Sequence, residues 1–183
     1  PLCPIEVLAL TADAHYHAHL EQGEADVVIG NWPQLPSDLH LGRLFADEVV
    51  CLVGQDHPAA RRGWSQAEWL AAEHIAPMPT HPGARGVIDA HLDSLGLVRR
   101  ITARCAHFSV IADIVASSLL VLTTGRQYCE RYTERLPLAI LPCPVAFPPL
   151  VYYQLWHART HHSAAAAWLR EGVRAVAQSL QKQ

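Results

Sequence analysis

Short apolar runs alternate with helix-patterned segments along the whole chain, and this alternation limits the possible folds more than any other feature. Asp26 to Gly30 (DVVIG) is the clearest run. It is continuously apolar and closed by glycine, the pattern of a strand buried on both faces. Strands are expected over 5–10, 26–30, 44–53, 74–78, 101–106, 119–123, 138–141 and 151–156. Helices are expected over 12–22, 65–72, 83–95, 109–117, 126–135 and 163–180. Ser65 with Glu68 three residues on makes a capping box, and Gly23 and Gly96 close their helices. Alternating strands and helices imply an α/β fold with largely parallel sheets.

The chain changes character near Gly54, and a proline-rich stretch at 142–150 marks a return. The expected architecture is two Rossmann-like lobes joined by a hinge. Residues 1–54 and 151–183 form lobe I, and 55–150 form lobe II. A ligand would sit in the cleft between them, beyond the carboxyl ends of the strands.

Composition narrows the function. Net charge is −3 and the sequence pI near 6.5, which argues against this chain wrapping nucleic acid itself. No run approaches the ~18 apolar residues of a membrane span, so no membrane partner is expected. The five cysteines are odd in number and contain no CxxC, so they read as reduced and mostly buried, which suits a cytoplasmic setting. Among the 12 histidines, His15, His17 and His19 are the most metal-like group. Only His15 and His19 share a helix face, and no carboxylate or cysteine completes a ligand set. A surface helix is expected there, with no metal and no cofactor. No GxSxG, phosphate loop or dinucleotide fingerprint occurs, so no enzyme and no catalytic residue is expected.

Four strand ends supply the candidate ligand contacts. Asn31 and Trp32 follow DVVIG; Met78 to His81, with Thr80 among them, follow HIAPM. His107 and Phe108 lie between a strand and a helix, and Thr123 and Thr124 follow LLVL. His74 and His107 could donate to a carboxylate or phenolate in a dry pocket. Each has a plainer role open to it. Trp32 could pack over the proline loop, His107 could satisfy a buried carbonyl, and His74 could be a hydrogen-bonded core histidine.

DVVIG, then LGRLFADEVVCLVGQDHP with Leu44-Phe45 and His57-Pro58, resembles the effector-binding half of LysR-type transcriptional regulators. The segments EHI (73–75), AHF (106–108) and LWHAR (155–159) are similar to a narrower branch. That branch contains regulators of naphthalene, salicylate and nitrotoluene degradation and the rhizobial nodulation regulators. The resemblance covers essentially the whole chain. It implies a fold like the type 2 periplasmic binding proteins, with a small-molecule effector, an aromatic acid or related aromatic, in the cleft. It also implies a homodimer or homotetramer, and DNA contact only through an N-terminal winged helix-turn-helix that this chain lacks. The domain's first strand and helix are expected to be missing as well. Asn31, Trp32, His74, Thr80, His107 and Phe108 are the expected effector contacts, with His74 and His107 polar and Trp32 and Phe108 packing on a ring. A solute-binding protein serving a transporter is the alternative with the same fold.

Overall fold

The computed structural model describes residues 4–8, 16–32, 36–79 and 83–181. The strands are β1 (Val28–Gly30), β2 (His40–Asp47), β3 (Val49–Gly54), β4 (Glu73–Pro77), β5 (Arg100–Cys105), β6 (Val121–Gly125), β7 (Leu138–Pro142) and β8 (Leu150–Trp156). The helices are α1 (Tyr16–Gln22), α2 (Pro58–Arg62), α3 (Gln66–Ala71), α4 (Val87–Ser94), α5 (Ile111–Ala116), α6 (Arg126–Thr133) and α7 (Ala164–Leu180). Two sheets result, a three-stranded one ordered β1-β8-β2 and a five-stranded one ordered β5-β4-β6-β3-β7.

The run expected as one strand over 44–53 is two strands in different sheets. β2 pairs with β8, and β3 pairs with β6 and β7. The chain therefore changes sheet at Glu48, ahead of the expected change at Gly54. The polar pair Asp47-Glu48 interrupts an otherwise apolar run at that point. β3 is buried at every residue because helices cover both its faces. Val49, Cys51 and Val53 pack with Trp69, Ile88 and Leu92. Val50 and Leu52 face the other way, onto Ile111, Val115 and Leu122.

The expectation of largely parallel sheets needs correcting. β4 lies parallel to β5 and β6, but β3 runs antiparallel to both its neighbours. β8 likewise runs antiparallel to β1 and β2. These exceptions share one cause. β3 and β8 are the strands by which the chain enters the second sheet and returns to the first, and each inserts between strands that run the other way.

Other differences are local. Residues 5–8, expected as the start of a strand over 5–10, lie in no strand, and Ile5, Val7 and Leu8 are exposed. Residues 58–62, where no helix is expected, form α2. His57 accepts from Ala59 N at its start, and Pro58 sits where an amide would go unused. The expected Ser65–Glu68 capping box is present in both directions.

Candidate functional site

A cavity of about 1320 Å³ opens between the two sheets. The first sheet and its β1 exit contribute Ile29, Asn31, Trp32, Phe45 and Asp47; β8 adds Tyr152. The second sheet contributes Ala76, Met78, Thr123 and Thr124 from the carboxyl ends of β4 and β6. Phe108, Gln127 and Tyr128 complete the wall near α5 and α6. The cavity thus lies at the carboxyl ends of the parallel strands β4 and β6.

Aromatic rings line both sides. Phe45 and Tyr152, one strand apart, stack with centroids 4.6 Å apart. Across the cavity Phe108 meets Tyr128 edge-on at 4.4 Å, and the Tyr128 hydroxyl donates to the Phe108 carbonyl at 2.9 Å. That bond ties the loop after β5 to α6. Trp32 folds back over Gly30, where an added Cβ would stand 3.1 Å from the indole. Its ring also meets Tyr16 of α1 at 5.7 Å.

Polar groups sit between the rings. Thr123 and Thr124 are buried, and Asn31 hydrogen-bonds with the Tyr152 hydroxyl. Burial foremost, then the nearby Asp47 charge, raises the Tyr152 phenol above its ordinary value, so it stays a neutral hydroxyl. Asp47 is only 7% exposed and docks on the start of α6, accepting from Gln127 N at 3.1 Å. Burial raises its carboxyl above the usual range, while backbone amides of Gln127, Glu48 and Arg126 act in the opposite sense. Glu48 follows in the crossover and takes Arg126 Nε at 2.7 Å, and Arg126 N donates to the Glu48 carbonyl. The crossover between sheets is therefore clamped to the first residues of α6.

The expected contacts divide. Asn31, Trp32 and Phe108 come together on the cavity wall, and the strand-end threonines Thr123 and Thr124 join them. His74 does not. It stands at the amino end of β4, away from the cleft, and is fully buried beside Trp69 with Nε2 2.7 Å from the Trp69 carbonyl. That ring nitrogen must carry the proton to donate, which leaves Nδ1 without a partner. Burial lowers the His74 pKa to about 4, so the ring is the neutral core histidine of the plainer reading. His107 caps the short turn before α5, is exposed, and is not among the lining residues. Thr80 lies outside the described residues.

Phe45, Asp47, Gln127, Tyr128 and Tyr152 were not among the ligand contacts expected from sequence, Phe45 having been noted only as part of a family motif. Only Asp47 carried a signal, as the start of the polar break in an apolar run. His15 lies outside the described residues; His17 and His19 pair with Asp38 at 3.2 Å and Glu24 at 3.8 Å. No metal-binding cluster occurs among the described residues.

The sequence model of the LysR substrate binding domain matches residues 5–178. The chain belongs to the LysR family of transcriptional regulators. Over 152 residues, 83% of this chain and 50% of the relative, it is 28% identical to the transcriptional activator NagR of a Ralstonia species. Over 158 residues, 86% of this chain and 48% of the relative, it is 32% identical to the regulator SyrM of Rhizobium meliloti. The chain thus spans about half the length of the curated relatives it matches. The effector-binding domain of QuiR, solved with shikimate, has the same fold. Its TM-score is 0.72 at 14% identity, over 90% of this chain and 77% of that one. The chain is therefore the effector-binding part of a LysR-type regulator and not an enzyme, and its fold is the expected type 2 binding-protein architecture. That membership sets aside the transport alternative.

Proposed function

We propose that the cavity between the sheets receives a small aromatic effector, and that its occupancy alters the angle between the lobes. The observation that carries this reading is the pairing of rings from both sides. Trp32 and Phe45 come from the first sheet's side, Phe108 and Tyr128 from the turn after β5 and from α6 on the second sheet's side, with hydroxyl and amide groups between them. A planar ring can be faced by aromatic side chains, while Asn31, Thr123 and Thr124 orient a polar substituent such as a carboxylate. The shikimate held by the QuiR domain, a carboxylate on a six-membered ring, agrees with that chemistry.

In this reading the lobes divide at Glu48 and at the return segment 143–149. An effector that touches both walls binds one lobe angle better and shifts the population toward it. In a dimer or tetramer that change would reach DNA through the rest of the regulator.

Titration calorimetry of the protein with salicylate, benzoate, nitroaromatics and flavonoids tests the reading. At least one should bind, and Phe108→Ala or Trp32→Ala should weaken it at least about tenfold, the loss of an aromatic contact worth roughly 1.4 kcal/mol. Unchanged affinity in both variants would place the effector elsewhere.

A further inference from the structure

The effector reading leaves one wall of the cavity unused. About 1320 Å³ exceeds the roughly 300–1,000 Å³ of drug-sized sites, so a single-ring acid held among the aromatic side chains leaves room beyond it. On the second lobe's side the first turn of α4 opens into the cavity, with Gly86, Val87, Ile88 and Asp89 on the wall. The turn at Gly96 (φ 68°) then sends the chain back toward β5, and Arg99 at that return reaches Asp89 and joins the wall. Arg104, further along on β5, lines the cavity as well and donates to the Pro77 carbonyl at 3.3 Å.

This wall carries donors without acceptors. Gly86 has the extended backbone of an N-cap (φ −66°, ψ 159°) but no side chain with which to cap. The amides of Val87, Ile88 and Asp89 therefore meet no acceptor among the described residues. A Cβ added to Gly86 would touch nothing within 4 Å, so the space there is open. A second, separate observation is Arg99. Its side chain is only 3% exposed, its Nε is held by Asp89 Oδ1 at 2.7 Å, and its buried Nη1 has no partner. A buried donor left unmade is costly unless a ligand takes it. The nearby carboxylates are already engaged, Asp89 by Arg99 and Asp93 by both Nε and Nη2 of Arg85. Arg104 pairs with no carboxylate among the described residues, so this wall keeps a positive excess.

We propose that the start of α4, with the buried Arg99 beside it, is a second subsite of the cavity that receives an oxyanion, a carboxylate or a phosphate group. The proposal rests on the effector reading only in sharing its cavity. Free amides at a helix start point at the ligand, and the positive end of the helix dipole favours its charge. Arg99 adds a charge-assisted donor that Asp89 holds in place. Asn31, Thr123 and Thr124 would still orient the polar substituent next to the rings. An effector that fills both places is an aromatic acid with a second anionic group; a free oxyanion beside a simpler acid is the other source of the same chemistry.

Titration calorimetry with inorganic phosphate, at an ionic strength held constant with sodium chloride, tests this. The wild type should bind phosphate. Gly86→Asp should weaken that binding at least about tenfold, because the new carboxylate caps the α4 amides itself and repels the ion. The variant should melt no lower than the wild type, since the backbone suits an aspartate N-cap and nothing stands in its way. Phe108→Ala should leave phosphate binding intact, so failure of the effector reading and failure of this subsite give different results. Competition with the aromatic acid found in the effector titrations separates the two sources. Displacement marks the subsite as the seat of the effector's own acid group, and joint binding marks a free ion. No phosphate binding by the wild type, or equal binding by Gly86→Asp, overturns the proposal.

Discussion

The Asp47 carboxylate accepts the Gln127 backbone amide at 3.1 Å and so caps a helix of the other sheet. Helix α6 needs this, because Gly125 at its N-cap has no side chain and its first turn carries no acidic residue. Burial nevertheless raises the Asp47 pKa, so the folded state holds its proton more tightly than the unfolded chain does. The sign follows from linkage. This contribution to stability is fully present below the unfolded carboxylate pKa and is lost as pH rises through the raised folded value. Asp47→Asn keeps an acceptor for the cap and removes the charge. It should melt higher than the wild type at pH 7, with the gap closing in acid. A lower Tm for the variant at pH 7 would mean that the charge itself stabilises α6.

His74 titrates in the opposite sense. Its pKa falls from 6.5 to about 4 on folding, so its contribution is present above the unfolded value and is lost as pH falls through the folded one. Protonation would put a charge in a core without a partner for Nδ1. Between pH 6.5 and 4 the wild type should lose up to about 3 kcal/mol from this group. His74→Gln can still donate to the Trp69 carbonyl and should flatten that part of the profile. An unchanged slope in urea melts across this range would assign the acid sensitivity to other groups.

What could be read from the sequence was set by local chemistry. The Ser65–Glu68 box needs only residues three apart, and it is present as expected. The buried run of β3 also announced itself, because helices on both faces leave no polar position. The sheet in which that run pairs was not legible, since pairing depends on strands 70 or more residues away. The cavity followed the same division. Asn31, Trp32, Phe108 and the threonines were found because strand ends point to a cleft. Tyr152 sits mid-strand in β8, and only the stack with Phe45 across the ladder shows that it faces the site. His74 misled because the segment EHI gives no sign of which end of the strand meets the cleft.

The Arg99–Asp89 pair supports the second lobe from the cavity wall itself. Arg99 Nε donates to Asp89 Oδ1 at 2.7 Å, with the arginine side chain only 3% exposed. Removing one partner leaves the other as an uncompensated charge, typically a loss of about 3–5 kcal/mol. Asp89→Ala should therefore destabilise strongly, while Arg99→Met with Asp89→Leu should recover most of the loss. Chemical denaturation of the two variants checks this, and equal losses in both would deny the pair its electrostatic role.

Gly125 is a glycine because of its neighbour and not because of its backbone. Its φ of −67° is open to any residue. An added Cβ, however, would fall on Asp47 Oδ2 and stand 2.9 Å from Asp47 Cγ. Gly125→Ala should thus push the carboxylate off the Gln127 amide and cost about 1–3 kcal/mol through overpacking and the lost cap. Asp47 Cβ is 3.4 Å from the same point, an ordinary contact, so the clash belongs to the carboxylate alone. In an Asp47→Ala background the glycine change should then cost little. The double-mutant cycle should show a coupling of the size of the single Gly125→Ala loss. Additive losses in that cycle would show that the two residues do not compete for one space.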